Sequence, residues 1–155
     1  MIFPDTAGLG DEAIRLHLTG TAEAKPEKQY LPACYFDICR YDGTRVGTCD
    51  LRIGHNEKTE IGGNIGYTVF PPYRGHRYAA RAVELLKTLA VRCGMTELTI
   101  SCVPENLASA RTCELAGGVL TGTVPVPEWS EMYQEGKRFI KVYHFDLTAP
   151  AEPTM

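Results

Sequence analysis

The run Val69-Phe70-Pro71-Pro72-Tyr73-Arg74-Gly75-His76-Arg77-Tyr78-Ala79-Ala80-Arg81 constrains the fold more than any other part of the chain. An apolar strand meets a turn marked by two prolines, and the turn opens into a long amphipathic helix. Apolar residues at Ala79, Val83, Leu86, Ala90 and Cys93 recur at 4-3-4-3 spacing, which gives one buried stripe, and Gly94 is the expected stop. The spacing predicts a helix from about Gly75 to Cys93. A junction of this kind leaves backbone N–H groups unpaired at the positive end of the helix dipole, a setting that binds phosphate. A phosphorylated ligand is the first expectation. Two familiar phosphate loops are excluded, because the chain has no G-x-x-x-x-G-K-[ST] and no G-x-G-x-x-G after a strand.

Strand patterns flank this junction. Ala13 to Leu18 alternates weakly, and Cys34 to Cys39 is a strand followed by the Asp42-Gly43 pair of a tight hairpin. Val46 to Ile53 answers it, with Cys49, Leu51 and Ile53 on one face and Thr48, Asp50 and Arg52 on the other. Gly54 to Glu60 reads as a polar loop leading to a strand over Ile65–Phe70. Leu98 to Val103 is a strand, Asn106 to Ala116 a short helix ended by Gly117-Gly118, and Val119–Val126 and Phe139–Leu147 two further strands. Hairpins at both ends imply a mixed sheet rather than a wholly parallel one. Residues 1–147 read as one domain, and 148–155, with two prolines, as a disordered tail.

Composition bounds the partners. A chain of 155 residues buries a core without staples, and a formal charge of -3 argues against non-specific nucleic-acid binding. No apolar run approaches the roughly 18 residues of a membrane span. Met1 to Asp5 lacks the basic start and apolar stretch of a secretion signal, so the cytoplasm is the expected location. The six cysteines, Cys34, Cys39, Cys49, Cys93, Cys102 and Cys113, show no C-x-x-C spacing and sit in apolar patterns. Buried reduced thiols are expected, with no metal site and no disulfide framework.

The pattern V-x-P-x-x-R-G-x-R-Y-A over residues 69–79 resembles the acetyl-CoA loop of the GNAT superfamily of N-acyltransferases, whose core pattern is Q/R-x-x-G-x-G/A. The likeness continues through Thr99-Ile100-Ser101-Cys102, Asn106-Leu107-Ala108-Ser109 and Glu114 to Gly118. Gly62-Gly63-Asn64-Ile65-Gly66-Tyr67 is similar to the strand opening of a branch of predicted bacterial acetyltransferases. Together these cover roughly residues 46–120 in the family's order. The resemblance implies an α/β (α+β) fold, a three-layer α/β/α sandwich around a mixed, mostly antiparallel sheet. Residues 20–33 hold too little for the two helices that usually roof the acceptor cleft, so the N-terminal helical region is expected to be shortened.

Carried over by position, Tyr67, Thr68 and Val69 would pair through their main chain with a pantetheine arm, as an added strand would. The N–H groups of Gly75, His76, Arg77, Tyr78, Ala79 and Ala80 would wrap the pyrophosphate, with Arg74 adding charge and Asn106 touching the pantetheine. Plainer readings stand beside these: Gly75 for a tight turn, Asn106 as a helix N-cap, His76 as a solvated side chain. One departure is plain. The family's glycine falls at Arg77, where close phosphate approach normally wants no side chain.

Acyl transfer to an amine needs a neutral nitrogen, and an alkylamine near pKa 10.4 is protonated at pH 7, which costs about 4–5 kcal/mol. The family's base, a glutamate on the strand before the second helix, corresponds to Ser101 here, and its tyrosine acid to Cys113. Glu60, just before the acyl-holding strand, is the substitute base singled out, with Asp50 on a neighbouring strand as another. Cys113 is a candidate thiol acid, or a packing cysteine. The acceptor side is expected to be open, closed over by the 127–137 segment with Glu128, Trp129, Glu131, Tyr133 and Glu135, whose glutamates, with the overall acidity, favour a cationic small-molecule or peptide amine. Acetyl-CoA is the co-substrate implied. A homodimer is compatible with the sequence. A non-catalytic acyl-CoA-binding or sensing module is the alternative that the missing Glu and Tyr leave open.

Overall fold

The computed structural model describes residues 3–148. In chain order it forms β1 (Ile14–Ala22), β2 (Ala33–Arg40), β3 (Arg45–Arg52), α1 (Glu57–Gly62), β4 (Ile65–Val69), α2 (Tyr78–Arg92), β5 (Glu97–Cys102), α3 (Leu107–Leu115), β6 (Val119–Pro125), α4 (Glu131–Gln134) and β7 (Phe139–Asp146). The tail expected to be disordered lies, from residue 149 onward, outside the described residues.

The strands divide into two antiparallel sheets, one ordered β1-β2-β3-β4 and the other β5-β7-β6. β4 and β5 meet at the seam without forming a ladder. The mixed sheet expected from the sequence is therefore two antiparallel halves that part at their shared border. α2 covers one face of the pair. Its stripe of Ala82, Val83, Leu86, Leu89 and Ala90 is buried against Phe36, Ile38, Cys49, Leu51, Leu98 and Ile100. Arg81 fixes the start of that helix by pairing with Asp11 at 3.0 Å and Glu12 at 2.9 Å, just ahead of β1. Since side chains alternate along a strand, Thr48, Asp50 and Arg52 occupy the face that α2 leaves.

Among the described residues, no long α-helix covers that second face. The expected shortening of the N-terminal helical region is complete, and residues 23–32 contribute only a single 3-10 turn at Pro26–Lys28. Part of the cover comes instead from α1, read from the sequence as polar loop. The missed signal is a capping box: Asn56 accepts from the Thr59 N–H at 3.0 Å while the Thr59 hydroxyl accepts from the Asn56 N–H at 2.9 Å. The main helix also begins later than its apolar spacing suggests. Gly75 has φ +92° and Arg77 φ +59°, left-handed values that a right-handed helix excludes, so the helix starts at Tyr78. Among the described residues no helix is long and apolar enough to cross a membrane.

Candidate functional site

At the border between β4 and β5 each strand is paired on its far edge alone, β4 with β3 and β5 with β7. Arg52 N–H donates to the Asn64 carbonyl at 2.7 Å, and Phe70 N–H donates to the Val46 carbonyl at 2.9 Å. Alternation then assigns the main-chain groups of Gly66 and Thr68 to β3 and turns those of Ile65, Tyr67 and Val69 toward the open edge. Of the three residues expected to meet the pantetheine, Tyr67 and Val69 face the seam and Thr68 does not. Gly47 explains how closely Thr68 is held: a Cβ on Gly47 would collide with the Thr68 carbonyl oxygen.

The seam is held at one end by Asn64, which is completely buried. Its Nδ2 donates to the carbonyls of Arg52 (3.0 Å) and Gly54 (2.7 Å), and its Oδ1 accepts from the Thr99 N–H at 3.0 Å. The Asn64 N–H donates to the Thr99 carbonyl at 2.7 Å. One side chain thus ties β3, the opening of β4 and β5 together. Among the described residues, no main-chain hydrogen bond joins the strands below this point. The sequence signal was a polar residue flanked by glycines ahead of an apolar strand, which reads equally well as a turn.

At the other end the seam runs into the turn before α2. The first main-chain bond from that turn into the helix is Arg81 N–H to the Arg77 carbonyl, 3.1 Å. Among the described residues, the N–H groups of Gly75, His76, Arg77, Tyr78, Ala79 and Ala80 have no hydrogen-bond acceptor. They stand with three basic side chains, Arg74, His76 and Arg77, at the positive end of a 15-residue helix. Arg74 is folded back, its Nε donating to the Val69 carbonyl at 3.0 Å, so it occupies one of the edge groups expected for the pantetheine. Arg77 adopts the left-handed conformation that a glycine would take without cost, and its exposed side chain lines a shallow cavity of about 220 Å³ with Ala80, Arg81, Glu84 and Leu115. Replacing it by glycine removes that conformational penalty. Arg77→Gly is expected to gain roughly 0.5–1 kcal/mol, a rise in Tm of about 2 °C, readable by differential scanning calorimetry.

The seam opens into a cavity of about 1030 Å³. Ile65, Gly66, Tyr67, Ser101, Cys102 and Val103 form its floor, Asn106 and Ser109 one wall, and Tyr30, Tyr35, Arg52 and Trp129 its outer reach. Asn106 caps α3, its Oδ1 accepting from the Ser109 N–H at 3.0 Å, and lines the cavity as well, so both readings of it hold geometrically. The Tyr67 hydroxyl, which the sequence did not single out, meets Ser109 Oγ at 2.6 Å, with Cys113 Sγ 3.9 Å away. Burial is the main reason that hydroxyl stays protonated far above the ordinary tyrosine range.

The two candidate catalytic residues fare differently from the coenzyme loop. Glu60 is exposed on α1 and does not line the cavity. Helix formation carries it away from β4, where a loop would have left it close. Cys113 is fully buried and also absent from the lining, and burial pushes its thiol up to about 12. A thiol that holds its proton so tightly is a poor donor to a departing thiolate. Cys113→Ala is expected to cost about 1 kcal/mol of stability and to change turnover less than about twofold. Ser101, in the place of the family's glutamate, donates to the Ile61 carbonyl at 2.6 Å and is committed to holding α1.

The outer cavity is not simply acidic. Glu23, Glu131 and Glu135 line it, but so do Lys25, Arg52, Lys58 and Lys137, and Lys137 pairs with Glu135 at 3.0 Å. The charge argument for a cationic acceptor therefore weakens. Trp129 lines the cavity, whereas Tyr133 stacks under the Arg138 guanidinium, 3.7 Å from its ring centre.

A split β4 edge running into a crown of free N–H groups is the geometry the sequence resemblance demanded, and the comparison with known proteins agrees. The family model described as an acetyltransferase (GNAT) domain matches residues 5–119. The chain belongs to the GNAT acetyltransferase family. Among solved structures, the microcin C7 self-immunity acetyltransferase MccE in complex with acetyl-CoA and AMP superposes with TM-score 0.58 at 20% identity, covering 74% of this chain and 61% of that one. The GNAT chain described here thus spans about three-fifths of that relative. The yncA structure from Salmonella typhimurium with its cofactor acetyl-CoA gives TM-score 0.58 at 16% identity, over 79% of this chain and 69% of that one. RimL, the ribosomal L7/L12 α-N-protein acetyltransferase, gives 0.59 at 20% identity, over 80% and 74%. Identities this low carry the GNAT fold alone. None of the curated proteins matches the sequence.

Proposed function

We propose that the protein transfers an acetyl group from acetyl-CoA to a primary amine, by direct attack of the amine within a ternary complex. The observation that carries this reading is the unpaired edge of β4. The Tyr67 carbonyl and the Val69 N–H are offered to an extended amide-bearing arm, which leads on to the N–H groups of residues 75–80. A pyrophosphate there gains charge-assisted hydrogen bonds and the helix dipole together. The Tyr67 N–H, at the open end of the cavity, is the donor set to stabilise the tetrahedral oxyanion. No metal enters this scheme. Among the described residues, no cluster of His, Cys, Asp or Glu has a metal-holding arrangement.

Because the acceptor side is open and its charge mixed, the acceptor class rests on the reaction rather than on the lining. Small-molecule amines and peptide amines both fit a mouth without helical cover. The deciding experiment has two steps. Isothermal titration calorimetry with acetyl-CoA measures donor binding, and release of free CoA thiol is then followed over spermidine, a lysine-containing peptide, a peptide with a free N-terminus and a simple alkylamine. Thiol release matched by acetylated product supports transfer. Tight acetyl-CoA binding without turnover on any amine favours the second reading, an acyl-CoA-binding or sensing module. The specific observation behind that alternative is that Ser101 is bonded to Ile61 and Cys113 is buried, so neither residue at the two family positions supplies proton transfer.

A further inference from the structure

We propose that Asp50, on β3, is the general base that takes the proton from the acceptor amine. The inference rests on the acetyl-transfer reading and names the group that reading lacks. Asp50 lies on the sheet face that α2 and α3 leave uncovered, between Tyr35 of β2 and Gly66 of β4, its register partners. Tyr35, Gly66 and Arg52 all line the cavity. The carboxylate leans over β4: a Cβ on Gly66 would stand 3.0 Å from its Oδ2 and 3.4 Å from its Oδ1. Glycine at that position leaves the side chain room to lie over β4.

Its environment suits the task. The side chain is 22% exposed and sits behind the lining residues Tyr35, Gly66 and Arg52 rather than on the cavity surface, so the proton reaches it through water; Oδ1 is buried and accepts no hydrogen bond. Arg52 Nη1 lies 3.3 Å from that oxygen, within ion-pair reach but without hydrogen-bond alignment. The other charged or titratable groups nearby are Tyr35 and Asp37 on β2, the latter 3.7 Å from Arg45. β4 presents only Gly66 and Thr68 on this face. Burial raises the carboxyl above the usual aspartate range, against the smaller downward pulls of Arg52 and the Gly66 main chain. A base closer to neutrality is a better one at pH 7.

The proton count closes without a further acid. Asp50 takes one proton from the ammonium form of the acceptor, and the neutral nitrogen attacks the thioester carbonyl. The C–N bond forms, the C–S bond breaks, and the second N–H proton leaves with the sulfur as free thiol. Asp50 then returns its proton to water.

The test uses Asp50→Asn and Asp50→Glu in the full chain. At pH 7, Asp50→Asn is expected to lower turnover of any amine the unsubstituted chain acetylates by about 10²–10³-fold, and Asp50→Glu to recover part of it. Acetyl-CoA affinity stays unchanged by calorimetry. The variant's residual rate should climb about tenfold per pH unit toward the amine's own pKa. A hydrazide, already neutral at pH 7, should lose far less. Removing a charge that folding buries should also raise Tm, which verifies that the variant folds. A second measurement needs no acceptor: acetyl-CoA alone should shift the ¹³C carboxylate resonance of Asp50. Turnover within twofold of the unsubstituted chain, or a resonance indifferent to saturating acetyl-CoA, overturns the assignment. If the unsubstituted chain fails to bind acetyl-CoA, the acetyl-transfer reading falls and this inference with it; intact binding with an indifferent Asp50 defeats this inference alone.

Discussion

Asn64→Leu is expected to lower stability by about 3–5 kcal/mol, a fall in Tm of roughly 10 °C for a chain of this size. Leucine keeps asparagine's branched heavy-atom skeleton, with bulkier methyl ends, but has no polar atoms. The change therefore strands the carbonyls of Arg52 and Gly54 and the N–H of Thr99, each now bonded to the Asn64 amide at 2.7–3.0 Å. Each such group, left buried and unpaired, costs about 1–3 kcal/mol. The asparagine is completely buried, so water does not substitute for it. Urea unfolding followed by circular dichroism measures the loss. A cost below about 1 kcal/mol contradicts the view that this amide is what joins the two sheets. Asn64→Asp tests the same contact more gently: at acid pH its neutral carboxyl keeps the acceptor for Thr99 N–H and one O–H donor in place of two N–H donors, so its loss should be smaller than that of the leucine variant.

Gly75→Val carries the largest expected effect on coenzyme binding. Gly75 sits at φ +92°, a region that a β-branched residue enters only with strain of about 1–3 kcal/mol. Nothing lies within 4 Å of the position a Cβ would take, so the penalty is conformational and not a clash. The chain relieves it by rotating the peptide, which re-aims the N–H groups of residues 75–77. Losing two charge-assisted hydrogen bonds to a pyrophosphate amounts to about 2–3 kcal/mol, or roughly 30–150-fold in Kd. Gly94→Val is the control. Gly94 has φ +82° at the opposite end of α2, also with open space beside it, so it should show a similar loss of stability and no change in acetyl-CoA affinity. Equal affinity for Gly75→Val and the unsubstituted chain removes the turn before α2 from the binding site.

Much of the turn before α2 was legible in the sequence, since it depends on local chemistry. A strand, two prolines, a glycine and an amphipathic helix follow one another within a few residues, and their geometry is set by backbone preferences that operate at short range. The exact start of α2 was not, because Arg77 reads as an ordinary helix-compatible residue and its left-handed φ is imposed by the turn. Register lay out of reach for the same reason. Whether Thr68 or its neighbours face the seam depends on which residues of β3 they pair with, and a shift of one reverses the answer. The acceptor side was least legible. Glu60 looked well placed while residues 54–60 read as loop, and the reciprocal Asn56–Thr59 cap that winds them into a helix was overlooked. Asp50 was visible as a polar residue in a half-buried strand; that it bends over Gly66 is a tertiary fact.

A bare sheet face where relatives of this fold carry two helices also changes how acceptors are sorted. On the acetyl-transfer reading, with short α1, short α4, a 3-10 turn and a loop around the rim, little of a bound molecule beyond its reacting end is gripped. Bulk further along the acceptor goes unpunished, and discrimination has to be achieved within a few ångströms of the nitrogen. Acceptors sharing the same terminal group should then react at similar rates whether that group ends a short molecule or projects from a folded one.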